Sequence, residues 1–218
     1  MKKINLMSIK YKDLKLEQRE AVKIRGYFAN EFESIEAMHN HKQNNFIYKY
    51  PSIQYKVIDN NPMILGIEQG VDILNKNNIP FIEQIKISEE IVSVNDIEIN
   101  YSKQYFGISE SYIEYEFLSP WIALNQNNIK SYIENDYEGK METLTRILIG
   151  NILSCSKSLG YTVENEISVG LDIYETSINF KNKKMRAFKG KFITNFEMPD
   201  YIGLGKSCSK GYGTIKKL

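Results

Sequence analysis

His39 and His41, in Met38-His39-Asn40-His41, are the two histidines of a 218-residue chain. Histidine is the side chain whose unperturbed pKa, about 6.5, places proton uptake and release near neutral pH. At i and i+2 of an extended backbone the two rings lie on one side, roughly 6–7 Å apart. That separation brackets a single phosphodiester: one imidazole takes the proton of the attacking oxygen, the other gives one to the leaving oxygen. Two further readings stand beside it, ordinary surface histidines in a polar loop and an H-x-H half-site for zinc. Zinc wants three or four protein ligands, and the two cysteines, Cys155 and Cys208, fall in an expected helix and in a glycine-rich loop. The adjacent letters do not make an HNH metal nuclease module, whose histidines and asparagine are spread over a ββα unit.

A second chemistry-bearing segment runs from Gly203 to Gly213 as G-x-G-x-x-x-x-x-G-x-G. It is not a dinucleotide fingerprint, which needs G-x-G-x-x-G between a strand and a helix. Nor is it a P-loop, since strand-like sequence and not a helix follows Gly205-Lys206-Ser207. Glycines let the backbone take positive φ and let another chain approach closely. Lys206 and Lys210, with Ser207 and Ser209 between them, suit phosphate contacts. The alternative is a pair of tight turns in a β-rich domain.

Charge is distributed unevenly. The net +1 divides into +5 over residues 1–30, −12 over 31–180 and +8 over 181–218. Lys181, Lys183, Lys184, Arg186, Lys189 and Lys191 fall within eleven positions. Screening confines a field to about 8–10 Å at physiological salt, so clustering outweighs the total. The run is either a polyanion-binding surface or a solvated, lysine-rich tail.

These groups need elements to position them. Hydrophobic residues make up 42% of the chain, enough for one large domain or two small ones. Residues 4–11 read as a strand and 15–37 as a helix on the spacing of Leu16, Val22, Ile24, Tyr27, Phe28 and Phe32. MHNHKQNN reads as a loop. Strands are expected at 46–50, 53–58 and 63–67, with a turn at Asn60-Asn61-Pro62, then a short helix at 69–78 and strand, turn, strand over 84–100. That is the β-α-β-β-α-β order of a ferredoxin-like unit. In the second half, 112–118 reads as a strand and ALNQNN leads into a helical stretch. Residues 139–159 form the strongest helix, with Met141, Leu144, Ile147, Leu148, Ile152 and Cys155 on one stripe and Gly160 as its C-terminal stop. Strands at 167–175, 176–180, 185–197 and 212–217 complete a second β-α-β-rich unit. The expected fold class is α+β, two tandem ferredoxin-like (RRM-like) domains with a C-terminal glycine-rich loop. Residues 1–107 form the domain carrying the histidine pair and 108–218 the domain carrying the loop. The absence of an apolar run of about 18 residues, of a secretory h-region and of a disulfide framework leads us to expect a cytoplasmic protein without membrane association.

In order along the chain these parts resemble the CRISPR repeat-processing endoribonucleases, the sixth Cas family within the RAMP superfamily. The stretch Tyr50-Pro51-Ser52-Ile53-Gln54-Tyr55-Lys56-Val57-Ile58, then Gly66-Ile67-Glu68-Gln69-Gly70 and Ser119-Pro120-Trp121-Ile122-Ala123-Leu124-Asn125, resembles the branch with a His-Asn-His doublet. The resemblance covers about residues 5–215. It implies a metal-independent, cofactor-free endoribonuclease of antiviral defence that cuts precursor CRISPR RNA within each repeat. The 2′-hydroxyl attacks the adjacent phosphate, leaving 2′,3′-cyclic phosphate and 5′-hydroxyl ends. His39 and His41 are then the acid/base pair. Tyr48, Lys49, Tyr27 or Lys56 can support them; alternation puts Tyr48 and Lys49 on opposite faces, and Tyr48 is the choice here. The implied RNA face takes Arg19, Lys23 and Arg25 from the first helix and Lys49 and Lys56 from the strands after it. It adds Lys181, Lys183, Lys184 and Arg186 from the basic run, and Gly203, Gly205, Lys206, Ser207, Lys210, Gly211 and Gly213 from the loop. The implied partners are CRISPR repeat RNA (the crRNA precursor) and other Cas proteins of an interference complex, for a monomer or homodimer. The alternative within the same superfamily is a non-catalytic RNA-binding subunit of such a complex.

Overall fold

The structure, a computed structural model, describes residues 1–32, 50–180 and 183–218. Thus His39, His41, Tyr48, Lys49 and Lys181, and the expected loop around the histidines, lie outside the described residues. The chain forms two compact units. One comprises Lys3–Gln104 together with Ser209–Gly211; the other comprises Met1–Lys2, Tyr105–Cys208 and Tyr212–Leu218.

In the first unit, β1 (Lys2–Tyr11) sends Met7, Ile9 and Tyr11 into the core. A 3-10 turn at Gln18–Glu20 then leads into α1 (Ala21–Glu31), which begins later than the period from Leu16 suggests. Residues before it are held otherwise: Leu14 is buried, Leu16 N–H donates to Asn60 O at 2.8 Å, and Glu17 is extended. The Glu20 carboxylate accepts from Glu17 N–H at 2.9 Å, half of a capping box at the turn's start. Ile24 and Phe28 of α1 are buried, and the Phe28 ring stacks on Phe32 and Tyr55 at 6.3 and 5.8 Å. Each such fully buried large apolar side chain contributes about 1.5–3 kcal/mol.

β2 (Ile53–Ile58) and β3 (Asn61–Ile67) form a tight hairpin in which Ile58 pairs with Asn61. The turn is therefore Asp59-Asn60 and not Asn60-Asn61-Pro62. Asp59 and Asn60 have φ of 51° and 62°, as a two-residue type I′ turn requires, and proline's fixed φ bars Pro62 from that role. Asn61 serves instead as a clamp, its Nδ2 donating to the carbonyls of Tyr11, Lys12 and Leu14 at 2.8–3.1 Å. Of the strand expected at 46–50 only Tyr50 is described, and it lies outside any strand, ahead of Pro51. α2 (Gln69–Lys76) follows, then the hairpin β4 (Gln84–Ile87) with β5 (Glu90–Ser93), and β6 (Ile97–Phe117). The strand order β2-β3-β1-β6 is the ferredoxin-like arrangement, with β4-β5 as a separate two-stranded sheet.

The second unit repeats this logic. After β6 come α3 (Ile129–Glu134) and α4 (Tyr137–Ser158), which buries Leu144, Leu148, Ile152 and Cys155. Asp136 caps α4 by accepting from Gly139 N–H at 2.9 Å. Gly160, at φ 67°, ends it in a Schellman motif: Gly160 and Tyr161 N–H donate to Lys157 and Ser156 carbonyls. β7 (Val169–Phe180) runs unbroken through the expected division at 175–176, where no Gly, Pro or Asn stands to turn it. β8 (Lys183–Glu197) and β9 (Ile215–Lys217) complete an order of β9-β6-β8-β7, again ferredoxin-like. In place of the second crossover helix stands the glycine-rich segment, with only a 3-10 turn at Cys208–Lys210. Among the described residues no helix is long and apolar enough to cross a membrane.

Candidate nucleic-acid interface

The glycine-rich segment stands on a short antiparallel base. Tyr201 N–H donates to Ile215 O at 2.7 Å, Ile215 N–H to Ile202 O at 3.0 Å, and Leu204 N–H to Gly213 O at 2.8 Å. The Tyr115 hydroxyl of β6, buried, accepts from Met198 N–H at 2.8 Å and donates to its carbonyl at 3.1 Å, fixing where the chain leaves β8. Gly213, at φ 61°, could hold no other residue: a Cβ there would lie 2.0 Å from Leu204 O. The Ser119-Pro120-Trp121-Ile122 segment fastens the base. Thr214 N–H donates to Ser119 Oγ, Gly213 N–H to Pro120 O and Lys206 N–H to Ile122 O, at 2.8, 2.9 and 3.2 Å. Trp121 is fully buried, exchanges two backbone hydrogen bonds with Phe188 of β8, and donates from Nε1 to Asn151 Oδ1 of α4 at 3.0 Å. Asn151 escaped sequence reasoning, although a lone amide between Leu148 and Ile152 on an apolar stripe was a usable signal.

The tip Ser209–Gly211 belongs to the first compact unit. Gly211 has φ 84°, and a Cβ on it would sit 3.1 Å from Ala21 Cβ and from Tyr55 O. Gln18 Nε2 donates to Gly211 O at 3.3 Å. The loop tip thus rests on the start of α1 and on β2, the juxtaposition implied for loop and first helix. Below it, Lys56 is fully buried and donates to Gln54 Oε1 at 2.8 Å, so this lysine does not stand in solvent among the described residues. Arg25 is half-buried; burial pulls its pKa down, and nearby Tyr55 pulls it back up. Arg19 and Lys23 lie on the exposed side and pair with Glu17 and Glu20, each at 2.7 Å. The Lys23 ammonium, with Glu17 N–H, holds the Glu20 carboxyl below its ordinary range.

The basic run sorts itself along the β7–β8 hairpin. Lys183 and Lys184 are exposed near its tip and have no ion-pair partner among the described residues. Arg186 pairs with Glu175, and Lys191 lies 3.8 Å from Glu114. Lys206 is exposed, Ser207 and Lys210 are half-buried, and Gly203, Gly211 and Gly213 are buried, Gly205 partly so. The structure therefore brings the loop glycines together, sets Gly211 beside α1, and leaves free cationic charge at the hairpin tip and at Lys206.

Two ferredoxin-like strand orders that share β6, with a glycine-rich segment in place of the second crossover helix, define the fold class. A solved structure of a RAMP protein binding different RNA substrates shares the fold at a TM-score of 0.55 and 15% identity, over 99% of each chain. The family is narrower: the Cas6b N-terminal domain model matches residues 2–105 and the Cas6b C-terminal domain model residues 107–218. The chain belongs to the Cas6b family. It is similar to a crystal structure of Cas6b, with 39% identity and a TM-score of 0.97, covering 100% of both chains. It is also similar to a crystal structure of CRISPR RNA processing endoribonuclease Cas6b, with 36% identity, a TM-score of 0.81 and complete coverage of both. An uncharacterised protein of Methanocaldococcus jannaschii is 42% identical over 135 residues, 62% of this chain and 92% of that protein.

Proposed function

We propose that this chain is a metal-independent endoribonuclease that cleaves precursor CRISPR RNA within its repeats. The observation that carries the activity is likeness over the entire chain, at 36% identity, to a CRISPR RNA processing endoribonuclease of the Cas6b family. In the reaction, one imidazole of the His39/His41 pair takes the proton of a ribose 2′-hydroxyl as the 2′-oxygen bonds to the adjacent phosphorus. The other, as imidazolium, protonates the 5′-oxygen as its bond to phosphorus breaks. The products are a 2′,3′-cyclic phosphate and a 5′-hydroxyl, with no water consumed and no net change in protons. Tyr48 supports the pair by donating a hydrogen bond to the charged phosphorane. The loop amides and the hairpin lysines hold the repeat's phosphates. The Cas6b chain acts as a monomer or homodimer and hands its product to other Cas proteins.

The test is cleavage of a labelled repeat RNA by His39→Ala and His41→Ala variants. Each is expected to lower the rate at least about 10²-fold while repeat binding persists. Full activity in the doubly substituted protein would overturn the assignment of both residues. Tight binding by the parent without any product would instead favour a non-catalytic RNA-binding subunit.

A further inference from the structure

The β7–β8 hairpin pairs without a register break from Val169 opposite Thr194 to Phe180 opposite Lys183. Directly opposed residues therefore share a face along its length. On one face, Asp172, Tyr174, Ile178 and Phe180 of β7 stand opposite Lys191, Lys189, Met185 and Lys183 of β8. At the outer end of this face Phe180 meets Tyr212 edge-on, ring centroids 5.7 Å apart. Tyr212 is the residue between the last two glycines of the loop, so the loop abuts the outer end of this face, and between there and Tyr174 stands Thr176 opposite the fully buried Ala187. Tyr174, six residues back along the same face, is 61% exposed.

An exposed aromatic ring stands beside cationic groups on this face, whereas Phe188 and Phe192, which share the other face with Lys184 and Arg186, are buried. Lys183 and Lys189 have no carboxylate partner among the described residues, whereas on the other face Arg186 is neutralised by Glu175. Beyond Tyr174, Asp172 opposite Lys191, with Glu114 3.8 Å from that lysine, closes the cationic track at the hairpin's base. An exposed tyrosine directly across a strand pair from a lysine has the makeup of a single-strand site: a π-face for a base and an ammonium for its phosphate.

We infer that Tyr174 is a stacking platform for an unpaired nucleotide of the substrate RNA, with Lys189 on its adjoining phosphate and Lys183 on a phosphate further along the strand. This rests on the activity proposed above and names the part of the substrate this face takes. Bases inside an A-form stem have no open face to offer, so the platform selects a nucleotide outside any stem. Tyr174 is a binding residue here, separate from the acid/base pair.

The experiment combines Tyr174→Ala, Tyr174→Phe and Lys189→Ala with a repeat RNA carrying single abasic substitutions, reading affinity and cleavage. Tyr174→Ala is expected to weaken binding about 5- to 150-fold with an unchanged salt slope, and Tyr174→Phe to bind like the parent. One abasic position should cost the parent a similar factor and cost Tyr174→Ala nothing further. Lys189→Ala should lower the salt slope by about 0.7. If Tyr174→Ala binds as the parent does, or if every abasic penalty is the same in both proteins, the platform is overturned while repeat cleavage by the parent stands. If the parent itself neither binds nor cleaves repeat RNA, the activity falls, and the platform with it.

Discussion

Tyr11 ends β1 deep in the first unit's core, and its hydroxyl is buried with no hydrogen-bond partner among the described residues. Leaving a polar group dry costs more than a typical hydrogen bond returns. Tyr11→Phe should therefore stabilise the protein by about 1 kcal/mol, measured by urea denaturation; a loss of stability would contradict this account of the core. Burial raises the phenol pKa of Tyr11, Tyr55 and Tyr115, because it disfavours the phenolate. The folded-state values lie above the unfolded value of about 10, so this contribution is complete below pH 10 and is lost as pH rises beyond it. Phenolate absorbance on alkaline titration should show these three tyrosines ionising together with unfolding and not before. Smooth titration of every tyrosine ahead of unfolding would be the contrary result. The histidine pair belongs to this scale too: two rings two residues apart were legible as a proton donor and acceptor beside surface and zinc readings, and the resemblance is what favours the first for the proposed reaction.

The decisive element is the glycine-rich segment, because the second unit uses it where a ferredoxin-like fold ordinarily uses a helix. Gly213→Ala places a Cβ 2.0 Å from Leu204 O at a positive φ, so it should destabilise by about 2–3 kcal/mol and weaken RNA binding with it. Gly150→Ala, on α4 with open space at its Cβ, should instead stabilise by about 0.5–1 kcal/mol. Thermal unfolding of both variants compares them directly; equal effects would mean that the loop's geometry is unimportant. Much of this was readable in advance. The four glycines, the α4 stripe with Gly160 behind it and the β2 strand followed from spacing and turn chemistry. What was not readable was long-range: that Asn61 clamps the end of β1, and that Trp121 and Asn151 fasten the loop. Such contacts join residues tens of positions apart, and no local period records them.

For the whole molecule, the uneven charge acquires a pattern. Glu17 and Glu20 pair with basic residues within the N-terminal segment, Glu114 and Glu175 of the acidic middle pair with Lys191 and Arg186, and Lys183, Lys184 and Lys206 are exposed. Replacing Lys183 and Lys184 together with Ala should lower the slope of log affinity against log salt by about 1.4 for a single-stranded repeat, read by fluorescence anisotropy across a salt series. An unchanged slope would return the hairpin tip to the status of a solvated surface. The central claim is the chemistry itself. A 5′-labelled repeat RNA incubated with the protein in EDTA, with the new ends mapped, should yield one cut per repeat, a 2′,3′-cyclic phosphate and a 5′-hydroxyl; cleavage that requires added metal and leaves a 5′-phosphate would contradict it.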